Sequence, residues 1–295
     1  MTKKKIIVIL GPTSSGKSAL AVKVAKKFGG EIISADSRQV YQGFNLSSGK
    51  ITKKEMMGIR HHLLDVISPK KTFTAANYKT LGQKIISQII KKGKVPIICG
   101  GTGFYIDTLI NDYNLPKIKP NPKLRKKLEQ RTGEELMIEL EKKDPTRASI
   151  IDPKNKRRVI RALEIIYQTK KPIEPVRPKS KYRTLKIGIV ISDQKLRTRI
   201  KERIEKRIRQ GMIKEIQKLH NQGISWQRLD YFGLEYRWIS RYLRGIINKD
   251  EMLENLNQDT RRFAKRQITW FKRDKNIIWI KNESGVETKV TNFLK

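Results

Sequence analysis

The segment GPTSSGKS has the residue types and the spacing of a loop that binds phosphate groups. It consists of Gly11, Pro12, Thr13, Ser14, Ser15, Gly16, Lys17 and Ser18. The two glycines let backbone N–H groups surround phosphate oxygens, Lys17 adds a positive charge, and the hydroxyl of Ser18 is suited to bind magnesium. Because an apolar run precedes this segment and a helical pattern follows it, we predict an anion-binding loop between a strand and a helix.

A second candidate group lies in the segment SADSRQVY, where Asp36 follows another apolar run. The carboxyl ends of parallel strands face the ligand crevice, so Asp36 is expected to face the phosphate site. A carboxylate there could bind magnesium or accept a proton from a substrate. The alternative is a structural one, in which Asp36 caps the start of a helix. The position at a strand end favours catalysis.

A turn of small residues, GGTGFY from Gly100 to Tyr105, follows a further apolar run. On its own it indicates no more than a tight turn. Beside a phosphate-binding loop, its glycines would let the hydroxyl of Thr102 and nearby N–H groups reach a diphosphate. The adjacent histidines His61 and His62 could suggest a metal site, but neighbouring side chains of a strand point to opposite faces. We expect them to be structural.

A stripe of arginines is predicted on one helix, because Arg199, Arg203 and Arg207 recur at every fourth position. Ile200 lies on the adjacent apolar stripe. The stripe could be a solvated basic surface, or it could supply an arginine to the phosphate crevice. Near the C-terminus, the segment TRRFAKRQITWFKR interleaves basic residues with aromatic ones, which we interpret as core residues rather than as platforms for stacking bases.

The composition points to a polyanionic partner. The 295 residues include 66 Lys and Arg but only 28 Asp and Glu, which gives a formal charge of +38. Nucleic acid is the expected partner of such a surface. The single cysteine, Cys99, allows no intrachain disulfide. No apolar run has the length of a membrane span, so we expect a cytoplasmic protein without a membrane segment.

Short apolar runs that alternate with helical patterns predict an α/β fold with a P-loop-containing parallel sheet as its core. The expected strands are Ile6–Leu10, Glu31–Ser34, His62–Val66, Val95–Cys99, Leu185–Ile191 and Ile277–Ile280. Proline clusters bound a basic segment without strand patterns, which we interpret as an inserted helical subdomain. We therefore predict a core of residues 1–115, an insertion of residues 116–183 that binds tRNA, and a continuation of the core with basic C-terminal helices in residues 184–295.

Six motifs, in this order and over nearly the whole chain, resemble those of the tRNA dimethylallyltransferase family. They are GPTSSGKS, ADSRQVY, RHHLLDVI, GGTGFY, DPTRASIIDPKNKRRVIRALE and RRFAKRQITWF. The resemblance implies transfer of a dimethylallyl group from dimethylallyl diphosphate to the exocyclic N6 of an adenine next to the anticodon of tRNA. It also implies magnesium as the cofactor. We expect a monomer.

The resemblance also implies roles for single residues. Asp36 would be the general base, and Lys17, Thr102 and either Arg199 or Arg203 would hold the diphosphate together with the rest of the loop from Gly11 to Ser18. Ser18 would bind the metal. The residues that would contact tRNA are Asp36, Ser37, Arg38, Gln39, Arg125, Arg157, Arg158, Val159, Ile160 and Arg161.

The chain departs from the family pattern in two places. The segment FGLEYRW, residues 232–238, stands where bacterial members have Ile-Gly-Tyr, and Asn77 stands where an acidic residue is expected. Two other functions remain open at this stage. A P-loop kinase or ATPase would use the same loop, and a non-catalytic RNA-binding module would share the basic surface.

Overall fold

A computed structural model describes residues 3–116, 118–175 and 179–295. The chain forms two compact units, one of residues 1–112 and 180–295, and one of residues 113–179. The end of the second proline cluster, residues 176–178, lies outside the described residues.

The larger unit is built on a parallel sheet of six strands among the described residues, which confirms the predicted fold class. The strands are β1 (Lys5–Leu10), β2 (Gly30–Ala35), β3 (His61–His62), β4 (Val95–Gly100), β5 (Arg183–Ile189) and β6 (Ile277–Ile280). Their spatial order is β3-β2-β4-β1-β5-β6. The central strand β1 pairs with β4 on one side and with β5 on the other, so that Ile9 lies between Cys99 and Ile187.

The third strand is shorter than predicted, because only His61 and His62 pair with β2 and the predicted strand extended to Val66. Leu63 and Asp65 have positive φ angles of 62° and 54°, a backbone conformation that ends a strand. The chain after His62 nevertheless stays close to the segment that follows β2, since the N–H of Val66 donates to the carbonyl of Val40 at 2.8 Å.

Helices cover both faces of the sheet and continue into the C-terminal region, in line with the predicted basic helices after Lys195. Those of the described chain are α1 (Lys17–Lys27), α2 (Lys53–Met56), α3 (Ala75–Lys91), α4 (Gly103–Ile110), α5 (Pro122–Glu129), α6 (Gly133–Lys143), α7 (Pro145–Ala148), α8 (Lys156–Thr169), α9 (Asp193–Arg209), α10 (Met212–Asn221), α11 (Trp226–Phe232), α12 (Leu234–Leu243), α13 (Lys249–Phe271) and α14 (Val286–Leu294). No helix among the described residues is both long enough and apolar enough to cross a bilayer.

The alternation of strand side chains builds a core on each face of the sheet. Ile6, Val8 and Leu10 of β1 pack on the side of α3 and α4, whereas Ile7 and Ile9 pack on the side of α1 and α14. A third core joins α9 to α13 and receives residues from the segment after β2. Helices α9 and α13 are thereby fixed beside the sheet, where their side chains reach its carboxyl edge.

The smaller unit consists of α5, α6, α7 and α8 around its own apolar core. Each of these helices begins at a polar cap, and Thr132 and Glu135 form a reciprocal capping box at the start of α6. The central element is α8, in which the exposed Arg157 and Arg158 of the first turn precede a mostly buried run from Val159 to Ile166. The described residues of this unit form helices without a strand, as predicted for the basic segment between the proline clusters.

Candidate active site

Three turns meet at one edge of the sheet because the strands that carry them end in register. Gly100 at the end of β4 pairs with Leu10 of β1 and with Ala35 of β2. The next residues along each strand are Gly11, Asp36 and Gly101. The phosphate-binding loop, the Asp36 turn and the Thr102 turn are therefore adjacent, as the sequence pattern predicts.

The loop from Gly11 to Ser18 leaves its polar groups available to an anion. Helix α1 begins at Lys17, and its N-cap is Gly16, which has no side chain to accept a hydrogen bond from the N–H groups of the first turn. The hydroxyl of Ser15 is buried and has no hydrogen-bond partner in the described chain. Lys17 folds back over the loop, and its Nζ donates to the carbonyl of Pro12 at 3.0 Å. A phosphate group would satisfy the unpaired donors.

The charge on Lys17 is held in an unfavourable environment. Burial lowers the pKa of Lys17 below that of an ordinary lysine, and the nearby charge of Arg203 lowers it further, while Asp36 acts in the opposite direction. Asp36 and Arg203 are therefore both close enough to influence the Lys17 ammonium group. A bound polyanion would relieve the repulsion between the two cations.

Arg203 is the residue of the arginine stripe that reaches the phosphate-binding loop. Its guanidinium donates to the hydroxyl of Thr13 at 3.1 Å and to the carbonyl of Gly49 at 3.2 Å. Burial and the neighbouring Arg207 lower the pKa of Arg203 to about 10. The guanidinium is thus placed beside the loop by a backbone carbonyl and a hydroxyl, and no carboxylate of the described residues forms a salt bridge with it.

The other two arginines of the stripe have different surroundings. Arg199, one turn before Arg203, is exposed, and the structure does not bring it to the loop. Arg207 is buried and donates to the carbonyl of Leu46 at 2.7 Å and to Glu235 at 3.1 Å. Arg207 therefore holds the segment that contains Gly49, and the carbonyl of Gly49 accepts a hydrogen bond from Arg203.

Asp36 does not cap a helix. Its Oδ1 accepts hydrogen bonds from the N–H groups of Arg38 at 2.8 Å and Gln39 at 3.4 Å, which form a turn, and the next helix begins only at Lys53. Thr102 joins this turn to the next one, because its hydroxyl accepts from the N–H of Ser37 at 3.1 Å. A hydrogen bond thus joins the Thr102 turn to the Asp36 turn.

Gln267 is a residue of the crevice that sequence reasoning did not identify. From α13, its Oε1 accepts from the N–H of Thr13 at 2.8 Å, and its Nε2 donates to the carbonyl of Gly101 at 2.9 Å. A signal was present in the sequence, since Gln267 follows Thr260 and Ala264 and precedes Phe271 on the buried face of α13. A polar residue on such a face needs partners.

Comparison with known proteins agrees with this geometry. The sequence pattern of the family described as IPP transferase matches residues 39–274. A tRNA dimethylallyltransferase of Acetivibrio thermocellus is 41% identical, over 98% of this chain and 96% of that protein. One of Anoxybacillus flavithermus is 40% identical, over 99% of this chain and 95% of that protein. The chain belongs to the IPP transferase family.

Solved structures of relatives share the fold of this IPP transferase. A tRNA isopentenylpyrophosphate transferase of Bacillus halodurans is 34% identical, with a TM-score of 0.74 over 99% of this chain and 96% of that one. A eukaryotic dimethylallyltransferase described as acting on tRNA is 28% identical, with a TM-score of 0.80 over 98% of this chain and 77% of that one. Both compact units are therefore included in the likeness.

The residues after Asp36 in this IPP transferase are tied to the protein. Arg38 donates to the carbonyl of Phe232 at 2.6 Å, and its guanidinium lies 5.2 Å from the centre of the Phe232 ring. Gln39 accepts from the hydroxyl of Ser34 at 3.1 Å and donates to the carbonyl of Gly49 at 3.3 Å. The segment 232–238, which departs from the family pattern, thus supports Arg38.

The basic residues predicted to contact tRNA in the smaller unit fall into two groups. Arg125 and Arg161 both bind the buried carboxylate of Glu164. Because Arg125 lies in α5 and Glu164 in α8, the Arg125 contact holds the two helices together. Arg157 and Arg158 are exposed. Val159 and Ile160, which were also predicted as tRNA contacts, have side chains that lie in the apolar core of this unit rather than on its surface.

Two further sequence features of this family member have structural explanations. His61 Nδ1 lies 2.8 Å from the carbonyl oxygen of Ile59, and His62 Nε2 lies 2.7 Å from Glu31 Oε2. Asn77 forms a capping box with Thr74, in which its Oδ1 accepts from the Thr74 N–H at 3.0 Å. An amide oxygen therefore performs the capping role for which an acidic residue was expected.

Proposed function

We propose that this protein transfers a dimethylallyl group from dimethylallyl diphosphate to the exocyclic N6 of an adenine adjacent to the anticodon of tRNA. The observation that carries the proposal is the arrangement of Asp36, Lys17, Thr102 and Arg203 around one crevice. One carboxylate faces cations and unpaired donors there. This arrangement suits a reaction that takes a proton from one substrate and releases a polyanion from the other.

Asp36 is the proposed general base. The adenine amine is a weak nucleophile because its lone pair is delocalised into the ring. As its nitrogen bonds to the first carbon of the dimethylallyl group, the amine becomes acidic and the carboxylate of Asp36 accepts one proton. Two backbone N–H groups already hold Oδ1 of Asp36, so the direction of the carboxylate is set before the substrate binds.

The loop from Gly11 to Ser18 is the proposed site of the diphosphate. As the carbon–oxygen bond breaks, the electron pair moves to the leaving oxygen, and negative charge grows on the diphosphate. Lys17, Arg203, Thr102 and the N–H groups at the start of α1 then stabilise this charge. Arg199 was predicted as a further ligand, but its exposure favours Arg203 for this role.

The chemistry of the site also suits magnesium. The proposed metal ligand is Ser18, at the start of α1, with the remaining ligands supplied by diphosphate oxygens and water. The hydroxyl of Ser15, in the same loop, is buried without a hydrogen-bond partner, which supports the binding of a ligand with phosphate groups. Within the described residues no cluster of His, Cys, Asp and Glu could hold a metal by itself. When bound, magnesium supplies positive charge to the leaving group.

The proposed acceptor is tRNA, which the charge of +38 supports. A base stacked in the anticodon loop cannot reach Asp36, so it must be turned out of the loop into the crevice. Arg157 and Arg158 are the proposed phosphate contacts of the smaller unit, and Ser37 and Arg38 those of the Asp36 turn. Since one chain supplies every residue of the crevice, we propose that a monomer is active.

Product analysis tests this proposal. Purified protein is incubated with magnesium, dimethylallyl diphosphate and unmodified tRNA, and the nucleosides of the digested tRNA are analysed by mass spectrometry. The expected product is adenosine with a five-carbon adduct at N6. Release of phosphate from ATP in the presence of tRNA, without any prenylated adenosine, would instead support a P-loop ATPase. Binding of tRNA without either reaction would support an RNA-binding module.

A further inference from the structure

The amide of Gln267 connects the two loops that the proposed function assigns to the diphosphate. It accepts a hydrogen bond from the Thr13 N–H of the phosphate-binding loop and donates one to the Gly101 carbonyl of the Thr102 turn. Both loops belong to the sheet edge, whereas Gln267 comes from α13, more than 160 residues later. We propose that Gln267 is a positioning residue that fixes the separation of these two loops for the diphosphate donor.

The chemistry of the contact requires an amide. The Thr13 N–H can only donate and the Gly101 carbonyl can only accept, so the side chain between them needs an acceptor and a donor on one planar group. Glutamate would keep the first hydrogen bond and lose the second. Leucine would lose both and leave a partly buried N–H and a buried carbonyl without these partners, which is costly.

A second residue on the same face of α13 packs against the Thr102 turn. Trp270 is three positions after Gln267, and its indole N–H donates to Asp107 of α4 at 2.8 Å. A Cβ atom added at Gly103 would lie 2.2 Å from the Trp270 ring, and one added at Gly101 would lie 2.1 Å from the Gln267 amide. The helix therefore contacts the turn at the residues on either side of Thr102.

Thr13 is held by hydrogen bonds with two side chains from different helices. Gln267 binds its N–H, and Arg203 binds its hydroxyl at 3.1 Å. The phosphate-binding loop is thus held from two helices, α13 and α9, before any ligand is present. Without Gln267, the loop and the Thr102 turn could separate, and the diphosphate would have to bring them together at the expense of its own affinity.

The inference rests on the proposed function, and a binding experiment separates the two. Gln267→Leu and Gln267→Glu are compared with the wild-type protein and with Gln258→Leu, which changes an exposed glutamine of the same helix. Affinity for inorganic diphosphate with magnesium is measured by calorimetry, and tRNA affinity by filter binding. Where prenyl transfer is observed, KM for dimethylallyl diphosphate and kcat are measured as well.

We expect Gln267→Leu to weaken diphosphate binding and to raise the donor KM by about tenfold or more, with tRNA affinity within about twofold of the wild-type value. Gln267→Glu should weaken diphosphate binding further, because a carboxylate lies beside the anion. Gln258→Leu should change neither. If Gln267→Leu does not fold, the Glu variant decides, since it fills the same volume.

Unchanged diphosphate affinity and donor KM in the folded Gln267 variants would overturn the inference. An equal loss of tRNA and diphosphate affinity would also overturn it, because it would indicate a general structural role. Failure of the wild-type protein to prenylate tRNA would contradict the proposed function, whereas the diphosphate measurements would still test Gln267.

Discussion

Arg203 in α9 donates a hydrogen bond to the hydroxyl of Thr13 in the phosphate-binding loop, although 190 residues separate them in the sequence. This contact joins a basic C-terminal helix to the loop that follows the first strand. The same guanidinium is held by the carbonyl of Gly49, and among residues 3–116, 118–175 and 179–295 no carboxylate forms a salt bridge with it. The arrangement leaves the charge available to a leaving diphosphate.

Replacement of Arg203 by Gln should lower the rate of prenyl transfer at saturating tRNA by roughly 10²–10³, because the guanidinium stabilises charge that grows in the transition state. The matched control is Arg199→Gln, which removes the same charge from an exposed position one turn earlier on α9. Single-turnover rates of both variants are compared with the wild-type rate. Equal losses would show that the arginine stripe acts through net charge alone.

The affinity for the donor should fall as the pH rises. Burial and Arg203 lower the pKa of Lys17, so its ammonium group loses its proton at a lower pH than an ordinary lysine and then no longer attracts the diphosphate. KM for dimethylallyl diphosphate, measured from pH 7 to pH 10.5, should therefore begin to increase below the ordinary lysine pKa of 10.5. In Lys17→Gln the titrating ammonium group is absent, so KM should depend less on pH. Ionisation of the donor affects both proteins equally and cannot cause the difference between the two curves. Parallel curves would contradict the assignment.

The helical unit should bind tRNA through Arg157 and Arg158. Replacing both by Gln should weaken tRNA binding by about tenfold and reduce the dependence of log affinity on log salt by roughly one to two units. Turnover at saturating tRNA should change little. The control variant Lys126→Gln with Lys142→Gln removes the same charge from exposed positions of this unit. An equal effect of the control would contradict a specific contact.

Glu31 should stabilise the sheet in a pH-dependent way. Burial alone would raise the pKa of this carboxyl, but hydrogen bonds from His62 and Lys94 and the charge of Lys92 outweigh it and lower the pKa to about 2. Because the folded pKa lies below the unfolded one, the stabilisation is present above pH 4.5 and is lost as the pH falls towards 2.

The test of this stabilisation is Glu31→Gln. We expect the free energy of unfolding at pH 7 to fall by about 1–3 kcal/mol. The loss of stability between pH 5 and pH 2.5, measured by urea unfolding, should also become smaller in the variant. A variant with wild-type stability at pH 7 would show that the ion pairs of Glu31 contribute nothing net.

Local patterns were enough to predict the sheet and the residues at its edge. β1, β2 and β4 contain short apolar runs, and each of these runs is followed by a turn that carries Gly11, Asp36 or Thr102. The rule that parallel strands end at a common ligand crevice then places these residues together. The arginine stripe could be predicted because its members recur with helical periodicity. The structure shows that Arg203 is the member that contacts the phosphate-binding loop.

The remaining features depend on contacts between distant segments. Gln267 and Gly49 are positioned by the packing of α13 and α9, and no periodic pattern encodes which carbonyl or N–H each will meet. Likewise, Arg161 is basic in sequence but is bound to the buried carboxylate of Glu164 in the fold. The length of β3 was overestimated because the positive φ of Leu63 leaves no signature in an apolar run.

Single-turnover transfer by Asp36→Asn tests the central claim most directly. Asparagine keeps the size of the side chain and an acceptor oxygen for the Arg38 N–H, but it cannot take a proton. We expect the rate of prenyl transfer at saturating tRNA and donor to fall by roughly 10²–10⁴, while tRNA affinity stays within a few fold of the wild-type value. A wild-type rate in this variant would contradict the account and would show that another group accepts the proton of the adenine amine.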